Sequence, residues 1–148
     1  MKYIMYLAVV LISAACSSVL LQSADYSWPV ESVLRVDQKG FVFEDRHSFS
    51  INVEPLFYEE FADSSSAFGK EVRIIRNRSG NYYITGSGFK NVYLFTPIEG
   101  GMKMEDKISI SDSTALNDPA FNQKTPNVEL LDGMNKYLLT ANGIARLK

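Results

Sequence analysis

The sequence predicts an all-β fold, a small antiparallel β-sandwich or partly open barrel of about eight to ten short strands. Three observations predict it. The apolar runs are short, turn-forming residues separate them densely, and several runs alternate with period two. The 148 residues, 46% hydrophobic and 12% aromatic, suffice for one packed domain without disulfide or metal.

The elements follow in chain order. Residues 30–36 (VESVLRV) read as a strand, and Asp37-Gln38-Lys39-Gly40 as a turn in which glycine supplies a positive φ. Residues 41–43 resume a strand. Phe49, Ile51 and Val53 then alternate with Ser50, Asn52 and Glu54, the clearest half-buried strand pattern in the chain. Pro55 interrupts it. Residues 56–61 fit two states: a helix, with Phe57 and Phe61 on one face and Pro55 in its first turn, or a bulged strand. Residues 62–69 form a Ser-rich loop.

Residues 71–76 and 81–85 flank Asn77-Arg78-Ser79-Gly80 and predict a hairpin. Gly86-Ser87-Gly88 predicts a bend; it lacks the spacing of a nucleophile elbow. Residues 91–96 form a strand ended by Pro97 and Gly100-Gly101, and residues 107–111 alternate cleanly. Residues 117–126 read as a polar connection, with Asp118-Pro119 capping one helical turn. Residues 128–131, 137–140 and 144–147 complete the set, the last two joined by Asn142-Gly143, a strong hairpin signal.

The N-terminus carries a different message. Lys2 precedes an uncharged apolar run over residues 3–12, and Ser13-Ala14-Ala15 supplies small residues before Cys16. This is the layout of an export signal. Ala14, Ala15 and Cys16 resemble the lipobox of bacterial lipoprotein precursors, with Ser13 where that family usually has leucine. The resemblance covers the first sixteen residues. It implies cleavage before Cys16 and attachment of lipid to its thiol. Acylation would also explain why the chain's single cysteine stands here. Ordinary secretory cleavage is one alternative. An uncut anchor over residues 3–21, about 28 Å long as a helix, is the other.

The expected organisation is therefore residues 1–15 as signal peptide, 16–29 as lipidated N-terminus and tether, and 30–148 as one β-rich domain. The expected location is the bacterial cell envelope, held to the membrane by the N-terminal lipid; the alternative is a secreted or periplasmic soluble protein. Formal net charge is −2, and loss of Lys2 with the signal makes it more acidic. A nucleic-acid binder would carry a basic excess.

Motifs of chemistry are sparse. His47 is the single histidine. Glu44, Asp45 and His47 on one short loop form a low-specificity pattern that reads as a solvated turn, and no metal or cofactor is expected. No Walker loop or dinucleotide fingerprint occurs. Lys70, Arg73, Arg76 and Arg78 form a basic strip, with acidic Glu54, Glu59, Glu60 and Asp63 just upstream. Cross-strand ion pairing is one reading and contact with an anionic surface the other. Trp28, Tyr58, Tyr83 and Tyr93 are candidate ligand-binding aromatics, provided that one ring set lies outside the core. The expected function is non-enzymatic: an envelope lipoprotein whose β domain binds another protein or enters an assembly. The alternatives are a carbohydrate- or small-ligand-binding module, for which a glycan is the candidate partner, and a small hydrolase using dispersed carboxylates.

Overall fold

The computed structural model describes residues 25–63, 65–140 and 143–146. The expected export signal, Cys16 and the start of the expected tether lie outside the described residues. Strands dominate: β1 (Ser32–Arg35), β2 (Phe41–Glu44), β3 (Phe49–Asn52), β4 (Glu71–Arg76), β5 (Tyr82–Gly86), β6 (Asn91–Ile98), β7 (Gly101–Ser109), β8 (Pro119–Lys124), β9 (Asn127–Asp132), β10 (Asn135–Thr140) and β11 (Gly143–Arg146). Among the described residues there is one α-helix, α1 (Glu54–Phe61), which follows β3.

A five-stranded antiparallel sheet of order β1-β4-β5-β6-β7 forms the centre, and a four-stranded antiparallel sheet of order β11-β10-β9-β8 forms a second layer. Among the described residues, the hairpin β2-β3 pairs with no third strand. The sheets do not close into a barrel, so the sandwich is the form adopted.

Register explains the layering. Pairing of Arg76 with Tyr82, Ile74 with Ile84, Tyr82 with Phe95 and Ile84 with Tyr93 puts these residues on one face of the central sheet. That face is covered by the β2-β3 hairpin and α1. Phe49 meets Tyr82 edge-on at 5.9 Å, and Phe57 meets Phe89 at 5.1 Å. Ile75, Tyr83, Val92, Leu94 and Ile108 lie on the opposite face and are all buried. The second sheet turns Phe121, Val128, Leu130 and Leu139 inward, all buried in the same core. With both faces covered, β5 is buried along its whole length.

Residues 56–61 are helical. Pro55 sits in the first turn, where its missing N–H costs no hydrogen bond, and Ala62 ends the helix in a left-handed conformation. The turn before β2 requires Gly40. Its φ is +77°, and a Cβ there would lie 2.0 Å from Glu54 Cγ.

Two expectations are corrected. Residues 117–126 are not a connection with a helical turn: most of the segment is β8, in unbroken register with β9. Pro119 opens the strand, a position where its missing donor is tolerated. Inward Pro119, Phe121 and Gln123 alternate with Ala120, Asn122 and Lys124, a pattern hidden by the polar side chains. β7 also begins earlier than expected, because Gly100-Gly101 turns the chain straight back along β6.

Candidate functional sites: an apolar cleft and the Glu44 cluster

An apolar cleft of about 330 Å³ opens between the covering layer and the central sheet. Ile51, Val53 and Leu56 line it from β3, the helix N-cap and α1, and Ile84, Phe95 and Met102 from the sheet and the β6-β7 hairpin. Its walls follow from sequence alternation. Val53 and Leu56 face inward and are buried. On the hairpin, Phe95 pairs with Met104 and Pro97 with Met102, so these four side chains share one face. The cleft therefore continues onto an apolar ribbon, where Met104 is 52% exposed. A bulge helps aim that ribbon. Leu94 pairs with Asp106 and Phe95 with Met104, leaving Glu105 as the extra residue. Methionine thioethers adapt to varied apolar surfaces.

A polar cluster lies at the other end of the covering hairpin. The Glu44 side chain is 3% exposed. Its Oε1 accepts hydrogen bonds from Ser32 Oγ at 2.8 Å and Arg46 Nε at 2.9 Å. Its Oε2 accepts the His47 backbone N–H at 2.7 Å and lies 2.9 Å from His47 Nδ1. Arg46 also donates to the Glu31 carbonyl at 3.0 Å and to Ser32 Oγ. Burial pushes the Glu44 carboxyl up. The bonds from Arg46, Ser32 and His47 outweigh it and hold the group down at about 2. The His47 ring stacks on Trp28 at 4.0 Å. Glu44 thus ties β1, β2 and the N-terminal segment together. Ser32 bonds to the carboxylate and not to the imidazole, so the geometry is a clamp and not a relay that activates a hydroxyl.

A second, half-buried anchor fixes α1. Glu60 accepts hydrogen bonds from the Lys90 N–H at 2.8 Å, Asn91 Nδ2 at 2.7 Å and the Tyr93 hydroxyl at 2.9 Å. Burial, then the bond to Glu60, raises the Tyr93 hydroxyl far above its ordinary range. Glu59 meets Lys107 at 2.6 Å on the exposed side.

The candidate aromatics do not form an exposed row. Trp28, Tyr83 and Tyr93 are buried, and of the four only Tyr58 is exposed. The reason is topological: β5 and β6 are interior strands covered on both faces, so each alternating ring finds a core. The basic residues do not form a strip either. Arg73 and Arg76 alternate to opposite faces of β4. Arg73 bonds Glu31 at 2.5 Å and Asp118 at 3.2 Å. Arg76 donates to the Gly80 carbonyl at 3.0 Å and lies over the rings of Tyr26 and Tyr82. Arg78 approaches Asp25 at 3.8 Å, while Lys70 is exposed. The acids upstream are not their partners.

Of the Glu44, Asp45 and His47 group, the structure joins Glu44 and His47 and leaves Asp45 exposed. Sequence reasoning missed the cleft. Its one signal was the alternation of Met102 and Met104 after Gly100-Gly101. No described helix is long and apolar enough to cross a membrane. Comparison with protein-family models, curated proteins and solved structures finds no significant match.

Proposed function

We propose that this is an exported envelope protein, held to the membrane by lipid on Cys16, whose non-enzymatic β domain binds an apolar segment of a partner protein. The observation that carries the binding role is the cleft and its continuation onto Phe95, Pro97, Met102 and Met104. Such a surface suits a peptide whose apolar side chains enter the cleft while its remaining length crosses the methionine ribbon. The lipobox-like Ala14-Ala15-Cys16 supports the location. The clamp-like wiring of Glu44 and Glu60 supports a scaffold that presents a surface.

The test places a photo-crosslinking residue at Met104 in cells expressing the full chain. The expected result is one discrete protein adduct, lost when Phe95 is changed to Asp. Adducts to lipid alone, or none from Met104 or a second site at Ile98, would sink the binding role. Mass analysis of the mature N-terminus, with Cys16→Ser beside it, tests the anchor. An unmodified Cys16 or a retained Met1 would refute it.

A further inference from the structure

We propose that a second, polar pocket, at the edge where the β7-β8 connection meets the β9-β10 turn, is a subsite for neutral or amino sugars. It occupies about 480 Å³, a size that suits one or two sugar rings. Its composition is the reverse of the apolar cleft. Buried Ile110 and Leu116 supply an apolar base, and the half-buried Tyr137 ring stands beside it. Around this lie Asp112, Thr114 and Asn135, all exposed at the rim. A pyranose presents the matching pair of surfaces, apolar C–H faces and a belt of hydroxyls that both donate and accept.

The pocket is preformed. The connection is held by Gly88 N–H to the Leu116 carbonyl at 2.7 Å, Leu116 N–H to the Phe89 carbonyl at 2.8 Å and Ile110 N–H to the Lys90 carbonyl at 3.0 Å. Asp132 Oδ1 accepts the N–H groups of Asn117 and Asp118 at 3.0 and 3.1 Å, which joins the two walls. A ligand therefore meets a site whose backbone is already ordered. Charge narrows the class. Among the described residues lining the pocket there are two aspartates and no lysine or arginine. Phosphorylated and uronic sugars would be repelled, while hydroxyls and ammonium groups find acceptors.

The test is a backbone-amide NMR titration of the full chain in a detergent without sugar headgroups. Cellobiose, N,N′-diacetylchitobiose and glucosamine are the probes, with glucuronate and glucose 6-phosphate as anionic controls. Shifts are expected at residues 111–114 and 135 with at least one neutral or amino probe, and weaker ones with the anions. The double variant Thr114→Ala/Asn135→Ala changes two exposed side chains and should weaken binding about tenfold or more. Met104→Lys, in the ribbon beside the cleft, should leave it unchanged, so this site and the apolar cleft fail separately. No response to any of the three probes at tens of millimolar, or an equal response to the anions, would overturn the proposal. So would an undiminished response in the double variant.

Discussion

The imidazole of His47 lies parallel to the indole of Trp28, with ring centroids 4.0 Å apart and planes 7° from parallel. The chain has one histidine and one tryptophan, and they are in contact. Tryptophan emission therefore reports the histidine. The stacked imidazole is part of the indole's surroundings, so His47→Ala should shift the emission maximum and change its intensity at constant pH. Emission identical to that of the unsubstituted chain would show that the rings are apart in solution.

Glu44 links stability to pH. Its carboxyl is held at about 2 in the fold, below its ordinary 4.5. A depressed carboxylate stabilises the fold at pH values above its unfolded value. That contribution is lost as pH falls from about 4.5 toward 2. It is on the order of 3 kcal/mol at neutral pH. Glu44→Gln should be destabilised by a similar amount at pH 7, since the amide keeps one acceptor oxygen but loses the charge and the second acceptor that Arg46 and His47 face. The gap to the unsubstituted chain should narrow by pH 3 in chemical denaturation curves. A gap independent of pH would contradict the clamp.

The Tyr93 hydroxyl and the Glu60 carboxylate should couple. Tyr93→Phe leaves the packing intact and removes one bond to a charged acceptor, a loss of about 1–3 kcal/mol. A double-mutant cycle with Glu60→Gln should return a coupling of about 1 kcal/mol or more. Additive effects would mean that the Tyr93–Glu60 bond adds nothing to the hold on α1.

Gly40→Ala should be costly despite its small change in volume. The backbone is at φ +77°, and the new Cβ would meet the Glu54 side chain. A loss of about 1–3 kcal/mol is expected from urea denaturation. Glu54→Ala should recover the steric part and leave the conformational part.

Met104→Lys separates surface from scaffold. Met104 is half-exposed, so stability should change by no more than about 0.5 kcal/mol. Crosslinking from Ile98 to a partner should nevertheless disappear. Retention of the adduct would remove the methionine ribbon from the interface.

Much of the fold was legible because local chemistry and global placement agree. Phe49 and Ile51 alternate with polar neighbours, and Asn77-Arg78-Ser79-Gly80 turns the chain as its composition requires. β8 was not legible, because Gln123 faces inward at a position where an apolar residue would be expected. The aromatics misled for the opposite reason. Tyr82 and Tyr83 suggest one wet face only if the sheet has a single covered side, and layer number is not written in one strand. The Glu44 cluster was half visible. Glu44 and His47 are three residues apart, but Ser32 comes from a separate strand and Trp28 from the segment before it. The cleft depends on the hairpin lying over the sheet, a long-range arrangement that local spacing does not encode.

Gln123 has a mechanical consequence. Its Nε2 donates to the carbonyls of Trp28 and Arg76 at 2.9 and 2.6 Å, while Tyr26 and Trp28 bond backbone to backbone along Arg78 and Arg76. A pull applied at residue 25 thus does not peel a loose end from the surface. It is shared at once between β4 of the central sheet and β8 of the second layer. Tension is borne by several bonds in parallel, and the place where the segment before β1 joins the sheet is also where the two layers are stitched together.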